Sequence, residues 1–118
     1  MKEKAFAVEF QVRDYECDMQ GVVNNAVYQN YLEHARHAYI KTKGIDFAEM
    51  AKAGGNLVVI RAELDYRSPL KSGDSFYVTT RMEPVSALRF AFLQSIVKKF
   101  TEELVLEAKV IGTAMNKE

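Results

Sequence analysis

A single segment of helical periodicity among several segments that alternate in steps of two limits the folds open to this chain. Between positions 26 and 42, apolar residues recur every three or four positions, which predicts one long amphipathic helix. The recurring apolar residues are Tyr28, Tyr31, Leu32, Ala35 and Tyr39. The polar residues expected opposite them are Gln29, Asn30, Glu33, Arg36 and Lys41. This helix is the element around which the other segments must pack.

Five segments with a period of two predict strands, one before the helix and four after it. They span positions 6–13, 58–67, 76–82, 88–96 and 104–110. The residues expected to share one face of the second strand are Val58, Ile60, Ala62, Leu64 and Tyr66. The third and fourth patterns consist of Phe76, Val78, Thr80 and Met82, then Leu88, Phe90, Phe92 and Ile96. The last consists of Leu104, Leu106, Ala108 and Val110. A short helix is also expected at positions 46–53, ended by Gly54 and Gly55.

The order of these segments predicts an α+β fold, with the long helix laid across a five-stranded antiparallel sheet. A length of 118 residues fits one domain, residues 1–118, in which chemistry and substrate binding share one core. One helix cannot cover both faces of such a sheet. The open edges and residual apolar surface therefore favour pairing with a second copy.

Charge and cysteine content exclude several classes of function. Lys plus Arg and Asp plus Glu each number 16, so no net charge favours nucleic acid or an anionic membrane as partner. The one cysteine, Cys17, cannot form an internal disulfide, and no Cys/His cluster has zinc spacing. No apolar run approaches the ~18 residues of a membrane span, and the first residues lack a signal-peptide pattern. We therefore expect a cytoplasmic protein without a metal.

Asp18 is the residue most suggestive of chemistry, because it lies shortly before the expected helix. A helix N-terminus carries unpaired N–H groups and partial positive charge, so it can hold an oxyanion while a nearby acid attacks or activates water. Either Asn24 or Asn25 is a suitable N-cap. On these residues alone, the favoured explanation of Asp18 is a turn acid near a positive helix end.

Two segments resemble the hotdog-fold acyl-CoA thioesterases of the 4-hydroxybenzoyl-CoA thioesterase type. The first is DMQGVVNNAVY at positions 18–28, continued by YLEHAR at 31–36. The second, DYRSPLKSGD at 65–74, is similar to that family's connection between its second and third strands. The resemblance implies the hotdog fold, a sheet wrapped around a helix and shared between the subunits of dimers, which often form tetramers. Active sites then lie between subunits.

The resemblance also implies site residues. Asp18 matches the catalytic Asp, as nucleophile or as general base toward water, and the backbone N–H of Asn25 matches the donor to the thioester carbonyl. Many members carry His where Val22 stands. The residues expected to bind substrate are Gly21, Val22, Tyr28, Arg67 and Lys71, with Lys98 and Lys99 as further cations for the phosphates of coenzyme A.

The function expected is hydrolysis of an acyl-CoA thioester to a free acid and CoA, in a homodimer or homotetramer and without a cofactor. Two alternatives stay open: an acyl-acyl carrier protein thioesterase, or a noncatalytic module that binds acyl thioesters. Acyl length and aromatic preference cannot be read from the residues. His34 and His37 are three positions apart, but surface histidines are expected because no third metal ligand is evident. Cys17 is expected to be a small buried residue, not a nucleophile.

Overall fold

The computed structural model describes residues 6–43 and 55–116, which form one helix across one sheet. The elements are β1 (Phe6–Gln11), a 3₁₀ turn (Asp14–Glu16), α1 (Asn25–Thr42), β2 (Gly55–Tyr66), β3 (Ser75–Pro84), β4 (Arg89–Lys98) and β5 (Leu104–Asn116). The predicted order of one strand, a long helix and four strands is confirmed. The short helix predicted at 46–53 lies outside the described residues.

All pairings in the five-stranded sheet are antiparallel, in the order β1-β3-β4-β5-β2. The first two strands of the chain therefore form the two edges. Strand β2 pairs along its length with β5 and leaves its other side without a strand among the described residues. An open edge of this kind can pair with another chain, and the oligomer expected from the sequence stays a prediction.

Helix α1 begins at Asn25 because Asn24 is its N-cap: the Asn24 side chain accepts a hydrogen bond from the Ala26 amide at 3.0 Å. The predicted apolar stripe is confirmed, and all five of its residues are buried. Four of them pack with inward side chains of the strands, among them Phe76, Val78, Ile96 and Leu106, while Tyr39 packs with Phe92 and Val110. Arg36 corrects the prediction, because it was expected on the polar face and is only 8% exposed.

The predicted faces of β2 are wrong before residue 61. A bulge lies between Val59 and Arg61, so that Ile60 has no partner on β5. One extra residue in a strand shifts the alternation by one position. By register with β5, Val59, instead of Val58 and Ile60, therefore shares a face with Ala62 and the later residues of the strand.

The predicted patterns of β4 and β5 are also wrong in part, because β5 contains a bulge and because Leu88 lies outside β4. The pairing of β4 with β5 shifts at Val105, which places Leu104 on the opposite face from Leu106. Leu88 lies before β4 and is 60% exposed, so it does not join the core. The apolar pattern continues through both Leu88 and Leu104. The start of β4 and its pairing with β5 decide which of these side chains face the core.

Candidate functional site

Asp18 begins a tight loop that ends at Val22. The Asp18 amide donates to the Val22 carbonyl at 2.8 Å, and the Gly21 amide donates to the Asp18 carbonyl at 3.0 Å. Gly21 has a φ of 82°, in the left-handed region that glycine adopts without strain. The flanking residues Cys17 and Val23 pair as a β-bridge. The loop is thus closed by backbone bonds on both sides of Asp18.

The Asp18 side chain is oriented by the same loop. Its Oδ1 accepts hydrogen bonds from the amides of Gln20 at 2.8 Å and Val22 at 3.4 Å. Its Oδ2 has no hydrogen-bond partner among the residues that the structure describes. The carboxylate is exposed. One oxygen is therefore held in place while the other is available to a substrate or to water.

The first turn of α1 leaves one amide for a ligand. The Ala26 amide is used by the Asn24 side chain, and the Val27 amide donates to the Asn24 carbonyl at 2.9 Å. Within residues 6–43 and 55–116, the Asn25 amide has no acceptor. The Asn25 amide, which was expected to polarise the thioester carbonyl, is thus the one without an acceptor among these residues. The Asn25 side chain is exposed, and Asn24, not Asn25, is the cap.

A groove of about 290 Å³ runs beside this helix start. Four of the predicted site residues line it: Val22, Asn25, Tyr28 and Arg67. Val23, Tyr66, Ser68 and Pro69 complete its wall and were not predicted as site residues, although Val23 lies in the 18–28 motif and the other three lie in the 65–74 motif. Asp18, Gly21 and Lys71 do not line it. Lys71 is joined to Val22 by a β-bridge, and Asp18 and Gly21 belong to the loop that ends at Val22.

Tyr28 connects the helix to the opposite wall of this groove. Its buried hydroxyl oxygen accepts a hydrogen bond from the Leu70 amide at 3.0 Å, and its ring contacts the Tyr66 ring edge-on with centroids 5.5 Å apart. Burial raises the pKa of the Tyr28 phenol, so it stays neutral near pH 7. A neutral phenol that accepts from Leu70 still has its own hydrogen to donate.

A contact that sequence reasoning missed fixes the segment before Asp18 to the helix. The Tyr31 hydroxyl donates to Glu16 Oε1 at 2.7 Å, and that oxygen also accepts from the Arg13 amide at 2.9 Å. The Glu16 carbonyl accepts from the Asn24 amide at 3.0 Å. Burial, and then the bond to Glu16, raise the pKa of Tyr31. Only the fold brings Glu16 to Tyr31, so no local pattern signalled this contact.

The cations expected to meet phosphates differ in how far they are paired. Arg67 lies in the groove and pairs with Glu107 at 3.3 Å on the exposed surface. Lys98 and Lys99 pair with Glu103 at 3.1 Å and Glu9 at 2.8 Å. Ion pairs at the surface are weak because water screens them, so these cations can exchange their partners for other anions. Lys71 is exposed and has no ion pair among the described residues.

In the part of the chain that the structure describes, no three His, Cys, Asp or Glu side chains cluster so that they could hold a metal ion. His34 and His37 are exposed, and His34 contacts the Phe10 ring at 5.3 Å. Cys17 is partly buried and packs against the core, while its neighbour Asp18 is exposed. Among the described helices, none is long and apolar enough to cross a membrane.

The chain belongs to the Thioesterase-like superfamily, whose family model matches residues 12–118. Its helix and five-stranded antiparallel sheet form the hotdog fold expected from the sequence. A 1,4-dihydroxy-2-naphthoyl-CoA thioesterase from Synechocystis superposes with a TM-score of 0.90 at 21% identity, covering 98% of this chain and 85% of that one. The match does not reach the finer level of the 4-hydroxybenzoyl-CoA thioesterase family.

Relatives in sequence include two plant proteins. The acyl-acyl carrier protein thioesterases ATL2 and ATL3 of Arabidopsis thaliana, both chloroplastic, are 44% and 46% identical over 108 and 105 residues. These matches cover 92% and 89% of this chain but 56% and 55% of the relatives, so the chain spans about half their length. A putative esterase from Aquifex aeolicus is 32% identical over 80% of this chain and 73% of its own length.

Proposed function

We propose that this protein hydrolyses acyl thioesters carried on a pantetheine thiol, releasing a free acid and the thiol. The observation that supports it most is the unpaired Asn25 amide at the mouth of a groove, beside the loop that carries Asp18. Membership of the Thioesterase-like superfamily supports the same reaction.

In the proposed reaction the thioester carbonyl oxygen accepts the Asn25 N–H, at the positive end of α1. Negative charge develops on this oxygen as the carbon becomes tetrahedral, so a donor fixed in place stabilises the transition state. The Asp18 carboxylate either attacks the carbon, giving a mixed anhydride that water then cleaves, or takes a proton from an attacking water. In both routes the thiolate leaves and is protonated. Neither route requires a metal or a cofactor.

The groove supplies the remaining contacts. Gly21 and Val22 let the substrate approach the loop, and Tyr28 offers a neutral hydroxyl hydrogen within the groove. Arg67, in the groove, and Lys71, which is joined to Val22 by a β-bridge, are proposed to bind the phosphates of the carrier. Exposed cations suit this role because their charge is already solvated when no substrate is bound. The site is proposed to be completed by a second copy in a homodimer or homotetramer, and a cytoplasmic location stays a prediction.

The thiol carrier has two candidates, coenzyme A and acyl carrier protein. Acyl-CoA is the expectation from the sequence, and a DHNA-CoA thioesterase from Staphylococcus aureus shares 25% identity and a TM-score of 0.87 with this chain. Acyl carrier protein is favoured by the two acyl-acyl carrier protein thioesterases of Arabidopsis thaliana, at 44% and 46% identity. Hydrolysis rates for the same acyl group on both purified carriers distinguish the two.

Asp18→Asn tests the chemistry with little disturbance of the loop. An Asn side chain keeps an oxygen that can accept from the Gln20 and Val22 amides, so the fold is retained with a loss of about 1 kcal/mol. Because Asn can neither attack nor accept a proton efficiently, kcat is expected to fall by a factor of about 100 or more. Continuous detection of the released thiol measures this.

Asp65→Asn is the matched control. Asp65 is an exposed aspartate on β2, and it loses the same charge in this variant without touching the groove beside Asn25. Turnover of this variant should equal that of the unaltered protein. Normal turnover by a folded Asp18→Asn variant would rule out the proposed role of Asp18. Binding of acyl thioesters with no thiol release, across short, long and aromatic acyl groups, would replace hydrolysis by the noncatalytic binding module.

A further inference from the structure

We propose that a second groove, under the C-terminal half of α1, binds ligands that combine an apolar chain with a carboxylate, and that Arg36 holds the carboxylate. This groove has a volume of about 330 Å³. It is lined by Glu33, Arg36, His37, Ile40, Val58, Val59, Phe92 and Gly112. None of these residues lines the groove beside Asn25.

Arg36 is buried with a neutral partner only. It is 8% exposed, and its Nη1 donates to Gln94 Oε1 at 3.2 Å. Gln94 is held in that orientation because its Nε2 donates to the Leu32 carbonyl and the Thr80 hydroxyl, both at 3.0 Å. The acceptor offered to Arg36 is therefore an amide oxygen, which carries no charge.

The rest of the guanidinium is directed at the groove. A guanidinium has five N–H donors. The Arg36 side chain forms only one hydrogen bond with the described residues. No fully buried side-chain nitrogen there lacks a partner. The remaining Arg36 nitrogens must therefore reach space that a ligand or solvent can enter, and this space is the groove that Arg36 lines.

A buried cation that forms no ion pair with the described residues favours an anionic ligand. Charge removed from water costs free energy unless an opposite charge compensates it, and burial accordingly lowers the pKa of Arg36. A carboxylate matches the planar fork of the guanidinium with two parallel hydrogen bonds. The ligand that best compensates this site therefore presents two oxygens on one carbon.

The other walls select an apolar body for the same ligand. Ile40 is 2% exposed and Phe92 is 1% exposed, and both pack in one small core cluster. Val58 and Val59, at the open edge of the sheet, are 40% and 47% exposed. An aliphatic chain laid against the two valines would remove their exposed surface from water, at about 25 cal/mol per Å². Ile40 and Phe92 line the same groove but have little surface left to bury.

Glu33 is the charge that opposes this assignment. It lines the groove and its charge acts on Arg36, yet it forms no ion pair with Arg36 among the described residues. Glu33 is exposed, so solvent screens its repulsion of an incoming carboxylate. The buried guanidinium is screened much less, and its attraction therefore dominates at short range.

Within one chain, this groove is separate from the candidate active site. Arg36 follows Asn25 by eleven positions on α1, which is about 16 Å along the helix axis. Two sources could supply the carboxylate: a free fatty acid, or the far end of an acyl chain whose thioester lies elsewhere. The second source depends on the proposed function, and the first does not.

Direct binding to the full chain tests the site without relying on catalysis. Dodecanoate and dodecanol have the same chain, and only dodecanoate can compensate Arg36, so dodecanoate is expected to bind about tenfold or more tightly. Arg36→Gln should abolish this preference. Arg81→Gln, which removes an exposed arginine on β3, should keep it. In the unaltered protein, dodecanoate should also shift the NMR signal of the Arg36 Nε–H group, which decides the question if Arg36→Gln fails to fold.

Several results would overturn the proposal: equal affinity for dodecanoate and dodecanol, a preference that survives Arg36→Gln or is lost in Arg81→Gln, or binding that leaves the Arg36 signal unmoved. A change of oligomer mass in Arg36→Gln, with no carboxylate bound by the unaltered protein, would instead give Arg36 a role between copies.

Hydrolysis of dodecanoyl-CoA and of its analogue with a terminal carboxylate distinguishes the two sources of the carboxylate. A preference for the analogue that Arg36→Gln removes identifies the acyl chain, and no preference together with dodecanoate binding identifies the free acid.

Discussion

Replacing Tyr28 by Phe removes one hydroxyl group from the wall of the candidate site. That oxygen accepts the Leu70 amide at 3.0 Å, and the side chains of both residues are buried, at 3% and 0% exposure. The Phe ring keeps the edge contact with Tyr66, so packing is nearly unchanged. The variant therefore isolates the loss of one hydrogen bond in the core.

The expected cost follows from the amide left behind. A buried N–H without a partner costs about 1–3 kcal/mol, which exceeds the net value of an ordinary hydrogen bond because the group stays removed from water. With a urea m-value of about 2 kcal/mol/M for a small domain, a loss of 2 kcal/mol lowers the unfolding midpoint by roughly 1 M. Tyr28→Phe should therefore unfold at clearly lower urea.

Equilibrium urea unfolding followed by circular dichroism measures this loss. Tyr15→Phe is the matched control, because Tyr15 is 78% exposed and its hydroxyl forms no hydrogen bond with the residues that the structure describes. The control should change stability by less than about 0.5 kcal/mol. Equal midpoints for the two variants would refute the reasoning, since the Leu70 amide would then be satisfied without Tyr28.

Two further predictions concern the segment that carries Asp18. The pKa of Tyr31 is raised in the folded chain above its ordinary 10.0, so its contribution to stability is complete below about pH 10 and is lost as pH rises beyond it. Urea unfolding across this range should therefore show a smaller decline for Tyr31→Phe, and parallel declines would contradict the assignment. Gly21→Ala should cost about 1 kcal/mol from the φ of 82° alone, because no atom lies within 4 Å of the added Cβ. Gly21→Asn should recover part of this loss in the same assay, and a cost above roughly 3 kcal/mol would indicate a clash instead.

The helix and the inner strands were predictable because their signals are local. The buried stripe of α1 and the inward residues of β3, such as Phe76 and Val78, lie where periodicity placed them. The errors in β2 and β5 arose at bulges at Ile60 and Val105, where a neighbouring strand sets the register. A bulge leaves no mark in an apolar sequence, so alternation alone continues through it.

The candidate site was predictable in part. The sequence indicated Asp18 and the start of the helix, and the structure adds that Asn24 uses the neighbouring amide and leaves that of Asn25 unpaired. The bond from Tyr31 to Glu16 and the bond from Leu70 to Tyr28 were missed. Each joins residues 15 or more positions apart, which no local pattern can bring together.

Residue order by itself determined the class of fold, because hydrophobic spacing decides whether a segment buries a stripe of a helix or one face of a strand. It also marked the acid and the helix end on which the proposed chemistry depends. Only the tertiary structure decided which N–H groups have no acceptor among the described residues and which cationic side chains are buried away from water. Arg36 has the spacing of a solvated side chain and lies buried, because solvent access depends on the strands packed beneath the helix and not on position along the chain.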